Sequence, residues 1–241
     1  MILFSDFDDT LYFRDEPEKT AQNLAAIKKW KATGNQFCIT TGRSYKSITT
    51  NMPEIGALCD FYILDSGSII LNSKAEFMHA FCFPPKLVAN IVNFSKTLPE
   101  IPIAVYYTPS SEGYQYTTEN VTKLRLWFAD TNLFSPVLEK LSNLPVAVFE
   151  YQTISNHKEL AGHNGFIEII PGDSGKSSAI SFLSQAEGFR PKNIITLGDG
   201  LNDYGMIKDF NGYMIEGSPL SKQYGGLFKS IPSLAALVSS L

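Results

Sequence analysis

The sequence predicts an α/β fold, a doubly wound parallel sheet that carries an inserted, smaller α+β module. Three observations lead there. Over residues 2–66, short apolar runs that end in acids alternate with helical patterns, an order that implies parallel strands. From about residue 80 the texture changes to mixed short strands and helices. From "GFIEII" at residues 165–170 the strand–helix alternation resumes. The expected division is a core domain of residues 1–79 and 161–241, with an inserted module of residues 80–160.

Each element has its own signal. "ILFSDF" is a short apolar run ending in acid, as suits a buried parallel strand. In "PEKTAQNLAAIKKWKATG" the apolar residues Ala21, Leu24, Ala25, Ile27 and Trp30 recur at helical spacing, and Gly34 is the stop signal. "QFCITT" is the second strand, "GRS" leads into a helix from Ser44, and "DFYILDS" is the third strand. The middle of the chain reads as a hairpin, "SIILNSKAEFMHAF", then an amphipathic helix, "PKLVANIVNFSKTL". The aromatic strands "IAVYYT" and "GYQYTT", the helix "SPVLEKLSNL" and the strand "PVAVFEY" complete the module. After "GFIEII" come a helix from Lys176, the strands "NIITLGD" and "GYMIEG", and a last helix, "IPSLAALVSSL".

Composition excludes several function classes. The 241 residues carry a net charge of −4, which gives no nucleic-acid footprint. No like-charge run reaches five residues, and no apolar run approaches a membrane span. Cys38, Cys59 and Cys82 are odd in number and form no CxxC pair, so the plain reading is buried free thiols in a reducing cytosol. The start, "MILFSDFDDT", lacks the basic region of a signal peptide, and a cytoplasmic location is expected. His79, His157 and His163 are too scattered to be a metal set. Tyr106, Tyr107, Tyr114 and Tyr116 fit ordinary strands at least as well as a sugar platform, and Trp127 and Phe128 read as module core.

The chemistry-bearing residues fall at strand ends, where doubly wound sheets bind ligands: Asp6, Asp8, Thr41 and Ser66. Two acidic clusters, "DFDDT" and "GDGLND", each read equally well as turn and capping residues when taken alone. Together they offer Asp6 and Asp199 as hard oxygen ligands of the kind Mg²⁺ requires. Crowded carboxylates repel unless a cation or proton sits among them. A carboxylate can also be a nucleophile, and an acid two residues away can move protons for it. "PGDSGKSSA" ends like a nucleotide-binding loop, but Ile170 occupies the position where that loop needs glycine. Lys176 then stands at a helix start, which the helix dipole makes a poor place for a cation, so an anionic partner is expected.

These motifs resemble those of the haloacid dehalogenase-like hydrolase superfamily. "DFDDT" matches the first motif, Asp-x-Asp-x-Thr, and "ITTGR" the second. Lys176 stands at the third, and "GDGLNDYGM" matches the fourth. The insertion between the second and third motifs resembles the Cof-type and sucrose-phosphatase-like branch, whose Rossmann-like core bears an α/β cap. The resemblance implies a phosphatase using Mg²⁺ and acting on a small-molecule phosphate ester, with no nucleic acid or membrane partner. Asp6 would be the nucleophile and a metal ligand. Asp8 would be the general acid/base, with its backbone carbonyl a ligand, and Asp199 would complete the metal shell. Thr41, Gly42, Lys176 and Asn202 would hold the phosphoryl group. Asp203 would orient Lys176 or a metal-bound water, and Arg43 and Ser66 would face the substrate.

Asp8 also bears on the branch. Ion-pumping ATPases carry a lysine-threonine pair after the nucleophile and so leave the aspartyl-phosphate slow to hydrolyse, whereas an aspartate at position 8 favours turnover by water. Two loops depart from the family pattern: Ser66-Gly67-Ser68 replaces Asn-Gly-Ala, and Gly217-Ser218-Pro219 replaces Gly-Asn-Ala. Both bear on substrate choice and leave the phosphoryl chemistry untouched. A phosphosugar mutase would use the same aspartyl-phosphate but would need a bisphosphate activator. A receiver-like switch domain shares the acids and the lysine, but it is about half this length and lacks the fourth acidic motif.

Overall fold

A computed structural model describes residues 1–152 and 162–241. His157 and the expected boundary at residue 160 lie outside the described residues. The chain divides into two compact units, one of Met1–His79 with Lys176–Leu241, the other of Ala80–Gly175.

The first unit opens with β1 (Ile2–Ser5), α1 (Pro17–Ala32), β2 (Gln36–Thr40), α2 (Tyr45–Asn51), β3 (Phe61–Leu64), β4 (Ile69–Asn72) and β5 (Phe77–Ala80). All four residues of β1 are buried, as an apolar run between two parallel neighbours should be. Proline opens α1, where its missing N–H costs nothing, and Gly34 follows the helix at φ 81°. The buried stripe of α1 is Thr20, Asn23, Ala26, Ile27 and Trp30, shifted from the expected one because Ala21 and Ala25 face solvent. Ile27 and Trp30 pack with Leu3, Phe37 and Ile39, each such side chain contributing roughly 1.5–3 kcal/mol by burial.

The second unit contains α3 (Pro85–Ser95), β6 (Ile103–Thr108), β7 (Ser111–Gly113), β8 (Lys123–Phe128), α4 (Phe134–Leu141), β9 (Val146–Gln152) and β10 (Gly165–Pro171). Its five strands run β7-β6-β8-β10-β9, all antiparallel. "GFIEII" therefore belongs to this sheet and not to the first unit. Every residue of β10 is buried, so its apolar run is indistinguishable in sequence from a core parallel strand. "GYQYTT" is largely not a strand: β7 ends at Gly113, and Tyr114 and Tyr116 are exposed. The strand that does pair with β6 is "KLRLWF". One face of the sheet packs Leu124, Leu126, Phe128, Ile167 and Ile169 against α3 and α4. The alternate residues Val105, Tyr107, Trp127 and Phe166 form a separate cluster. Among them Arg125 Nε donates to Glu168 Oε2 at 2.8 Å, and Lys123 lies 3.9 Å from the same oxygen.

The first unit resumes with α5 (Lys176–Glu187), β11 (Ile194–Gly198), α6 (Tyr204–Asp209), β12 (Asn211–Ile215), α7 (Pro219–Tyr224), β13 (Lys229–Ile231) and α8 (Leu234–Ser240). Its eight-stranded sheet has the order β13-β12-β11-β1-β2-β3-β4-β5. The strands from β13 to β3 are parallel, and β4 returns antiparallel to β3. From β1 the chain winds outward through β2 and β3, and after the insertion it winds the other way through β11, β12 and β13. The order therefore reverses between β1 and β11, the kind of crevice in which such sheets bind ligands.

Cys38, Cys59 and Cys82 are free thiols. Cys38 and Cys59 are buried, and burial pushes both thiols up, so they are poor nucleophiles. Cys82 is exposed, contrary to expectation, because it lies in the irregular segment between β5 and α3. Among the described residues, no helix is long and apolar enough to cross a membrane.

Candidate active site

Parallel strands end on one edge of a sheet, and the expected residues follow those ends. Asp6 follows β1, Thr41 follows β2, Asp65 and Ser66 follow β3, and Asp199 follows β11. The register of β1 against β11 sets Ser5 opposite Leu197. The backbone N–H of Asp6 then donates to the Leu197 carbonyl at 2.9 Å, which fixes where the Asp6 carboxylate emerges.

Lys176 is the first residue of α5 and is only 3% exposed. Its Nζ donates to Asp6 Oδ1 at 2.6 Å and also to Asp203 Oδ1. Those two carboxylates are the anionic partners that a cation at a helix start requires. Burial pulls the Lys176 ammonium down, but Asp203 and Asp6 outweigh it and hold the group charged, well above its usual range.

Asp203 is anchored by the backbone. Its Oδ2 accepts the N–H groups of Asp199 at 3.0 Å and Gly200 at 2.9 Å. This packing needs glycine at position 198, because a Cβ there would collide with the Asp203 carboxylate. Asp6, Asp199 and Asp203 each bring a carboxylate oxygen within 4.8 Å of the others. Asp8, whose expected metal contact is its backbone carbonyl, contributes no carboxylate to this group.

Two residues without an assigned part in the sequence reading complete the frame. Thr10, inside the first motif, donates to Asp199 Oδ1 at 2.8 Å. Asn23, buried on α1, donates to the carbonyls of Thr10 and Leu11 and accepts the N–H of Ala235. It ties the loop after β1 to α1 and α8. The only sequence signal for it was a polar residue on the core stripe of α1.

The second motif forms a stitched loop. The Thr41 hydroxyl accepts the Arg43 N–H at 3.2 Å, and the Thr41 carbonyl accepts the Ser66 N–H at 2.9 Å. Asp65, Ser66 and Gly67 have φ of 48°, 60° and 102°. Left-handed backbone costs a non-glycine residue roughly 1–2 kcal/mol, so strain sits at this strand end. A Cβ on Gly42 would come 3.2 Å from the Ser66 hydroxyl, so Gly42 permits the two loops to approach closely. The other departing loop also adjoins the acids. Ser218 caps α7, and the next N–H, from Leu220, donates to the Asp199 carbonyl at 2.9 Å. Asn202 is half-buried, with its amide oxygen close to Gly200.

Arg43 lies where its guanidinium meets Asp8. Its Nε donates to Asp8 Oδ2 at 2.7 Å and its Nη2 to Asp8 Oδ1 at 2.6 Å. The Asp8 side chain stays 46% exposed.

The electrostatics match a cation site. Burial pushes the Asp6 carboxyl well above its usual range, with Asp203 and Asp199 adding to the effect against Lys176. Burial, then the Asp203 charge, lifts Asp199 from 3.8 to about 7, although Thr10 and Lys176 oppose the rise. Without metal, the folded protein then holds protons between about pH 4 and 7 that the unfolded chain releases. Stability from this source is present at low pH and declines as pH rises, by at most about 1.4 kcal/mol per pH unit for one group. Lys176 adds no slope there, since its linkage lies in the alkaline range. Chelator-treated wild type should therefore lose stability relative to an Asp199→Asn variant as pH rises from 5 to 7. Mg²⁺ should raise the wild-type melting temperature more at pH 7 than at pH 5. Urea unfolding and melting curves at both pH values check this, and parallel wild-type and variant profiles would refute it.

A family model for haloacid dehalogenase-like hydrolases matches residues 3–218. A provisionally named phosphatase of Haemophilus influenzae is 24% identical over 228 residues, covering 86% of this chain and 82% of the relative. A haloacid dehalogenase-like hydrolase from B. subtilis superposes with a TM-score of 0.80 at 12% identity, covering 100% of this chain and 99% of that one. The subclass IIB sugar phosphatase BT4131 superposes at 0.78 with 15% identity, covering 99% and 96%. The two structures share the fold.

Proposed function

Because the chain belongs to the haloacid dehalogenase-like hydrolases, we propose that it is a Mg²⁺-dependent phosphatase that cleaves a small phosphate ester through an aspartyl-phosphate on Asp6. The observation that carries this reading is the buried contact of Lys176 with Asp6 inside a group of three carboxylates. A nucleophilic carboxylate needs a cation at hand when a phosphoryl dianion arrives, and a fixed buried lysine needs no rearrangement to supply it.

Asp6 would attack phosphorus with one Oδ while the bond to the leaving oxygen breaks. Asp8, two residues on and half exposed, would give that oxygen its proton. Water would then attack the aspartyl-phosphate, Asp8 would take its proton, and phosphate and free Asp6 would result. Lys176, Thr41 and the Gly42 backbone would hold the non-bridging oxygens, with Asn202 beside them. Asp203 fixes the direction of Lys176.

Asp6, Asp199 and the Asp8 carbonyl would hold Mg²⁺. Hard carboxylate oxygens, crowded and raised in proton affinity, fit such an ion. When bound, it would neutralise charge on the phosphoryl group.

A sugar phosphate is the substrate class we favour, and we place discrimination in the second unit. The subclass IIB relative is named a sugar phosphatase. The second unit enters the chain between Ser66 and Lys176, two residues of the candidate site, so its presence there supports a part in choosing the substrate. Ser66, after β3, would face the substrate.

The test is turnover of an aryl phosphate and a panel of sugar phosphates with Mg²⁺ and with excess chelator. Turnover should require the metal and no bisphosphate activator. Replacing residues 80–175 by a short link should keep aryl phosphate cleavage and flatten the ranking of sugar phosphates. Full turnover in chelator would refute the metal assignment, and an unchanged ranking would return specificity to the loops of the first unit.

A further inference from the structure

We infer that Arg43 is a positioning residue that clamps Asp8, and that it acts on leaving-group departure through Asp8 instead of through a substrate contact. This rests on the phosphatase reading above, in which Asp8 is the proton donor. The clamp itself is a matter of geometry. Arg43 grips both carboxylate oxygens of Asp8, at 2.7 and 2.6 Å, in the bidentate arrangement that fixes orientation as well as distance. Its Nη1 donates to Ser47 Oγ at 3.3 Å, so at least three of its five N–H groups are committed within the protein. The guanidinium carbon lies 5.4 Å from the centre of the Phe7 ring, which is itself stacked on Tyr12.

The Arg43 backbone is held as firmly. Its N–H donates to Thr41 Oγ1, and its carbonyl accepts the Asp65 N–H at 3.1 Å. The Asp8 end is braced by the loop after β1, where the N–H groups of Leu11 and Tyr12 both donate to the Phe7 carbonyl. Two loops from adjacent strands thus meet at one ion pair.

The Asp8 side of the pair is 46% exposed, so its yield in stability is modest and does not by itself explain this degree of bracing. Positioning does. A carboxylate offers about four lone-pair sites. Arg43 takes one on each oxygen and leaves an outward site on each, and the proton given to the leaving oxygen would ride on one of these. Without the clamp, a side chain 46% exposed would sample rotamers that point away from the reacting oxygen.

The experiment uses aryl phosphates of graded leaving-group acidity, from phenyl to nitrophenyl phosphate, read as kcat/KM. That constant reports steps up to leaving-group loss. Proton donation matters most for the poorest leaving group. Arg43→Ala should therefore lose at least tenfold more on phenyl phosphate than on nitrophenyl phosphate, and KM should change little. Asp8→Asn should show the same steepened dependence, and the double variant should be no worse than Asp8→Asn alone. Arg43→Lys, which keeps charge but cannot bind in bidentate fashion, should fall between wild type and Arg43→Ala. It also keeps the test usable if Arg43→Ala misfolds.

A uniform loss across the series, carried by KM and fully additive with Asp8→Asn, would overturn the clamp and make Arg43 a substrate contact. A flat series in Asp8→Asn would remove the donor and the clamp with it. An inactive wild type would instead refute the phosphatase reading, and the experiment separates the two failures.

Discussion

Asp6→Asn should reduce phosphatase turnover at least a thousandfold. The amide is a far weaker nucleophile than the carboxylate, and losses of nucleophiles cost orders of magnitude. The substitution is close to isosteric, and the backbone bond from Asp6 to Leu197 does not involve the side chain. The fold should therefore survive. Removing one carboxylate from a crowded, buried set should even raise the stability of the metal-free protein near neutral pH, since burial above all, then Asp203 and Asp199, disfavours a charged Asp6 against the pull of Lys176. Loss of activity with retained or increased stability is the expected pairing. The measurements are aryl phosphate turnover with Mg²⁺ and a urea unfolding curve in chelator. More than about a tenth of wild-type activity would remove Asp6 from the nucleophile's role.

Lys176→Met should damage both activity and stability. The side chain is buried between Asp6 and Asp203, and methionine keeps most of its length without its charge. Breaking a buried ion pair from one side typically costs about 3–5 kcal/mol, because the charge left behind is uncompensated. Here two direct partners are left, with Asp199 close by. The metal-free variant should lose stability on that scale at pH 8 and less at pH 5, where the acids can take up protons. Mg²⁺ should recover part of the loss. Turnover should fall at least a hundredfold even with saturating Mg²⁺, as removal of one preorganised charge-stabilising donor does elsewhere. An unfolding midpoint within error of wild type at pH 8 would contradict the burial argument.

Much of this site was legible in the chain, and the reasons are local. Apolar runs ending in Asp6, Thr41 and Asp199 placed those residues at strand ends, and parallel strands share an edge. The unfavourable position of Lys176 foretold an anionic partner, though not that there would be two. The Arg43–Asp8 pair was not legible, because the two residues are 35 apart and side-chain direction has no trace in spacing. Asn23 was missed because the periodicity of α1 was counted on apolar residues alone. The two misread strands differ in cause. β10 is buried throughout because β8 and β9 flank it and both its faces are covered, and burial of that kind erases the alternation that marks antiparallel strands. In β8 the alternation is present, but its second face carries Lys123 and Arg125, so the segment lacks the continuous apolar run by which the other strands were found.

The pairing of β1 with β11 also bears on the order in which the molecule assembles. Ile2–Ser5 hydrogen-bond to Ile194–Leu197, and the whole of the second unit lies in the chain between them. A strand at the centre of the sheet therefore lacks one of its two neighbours until the chain has been made beyond residue 197. The second unit draws all five of its strands from one continuous stretch and faces no such wait. Closing so long a loop is an entropic cost that short-range pairings do not carry. During synthesis, β2 and β3 can gather around β1 early. The crevice that brings Asp6 to Asp199 and Lys176 therefore comes into being only when the late strand docks.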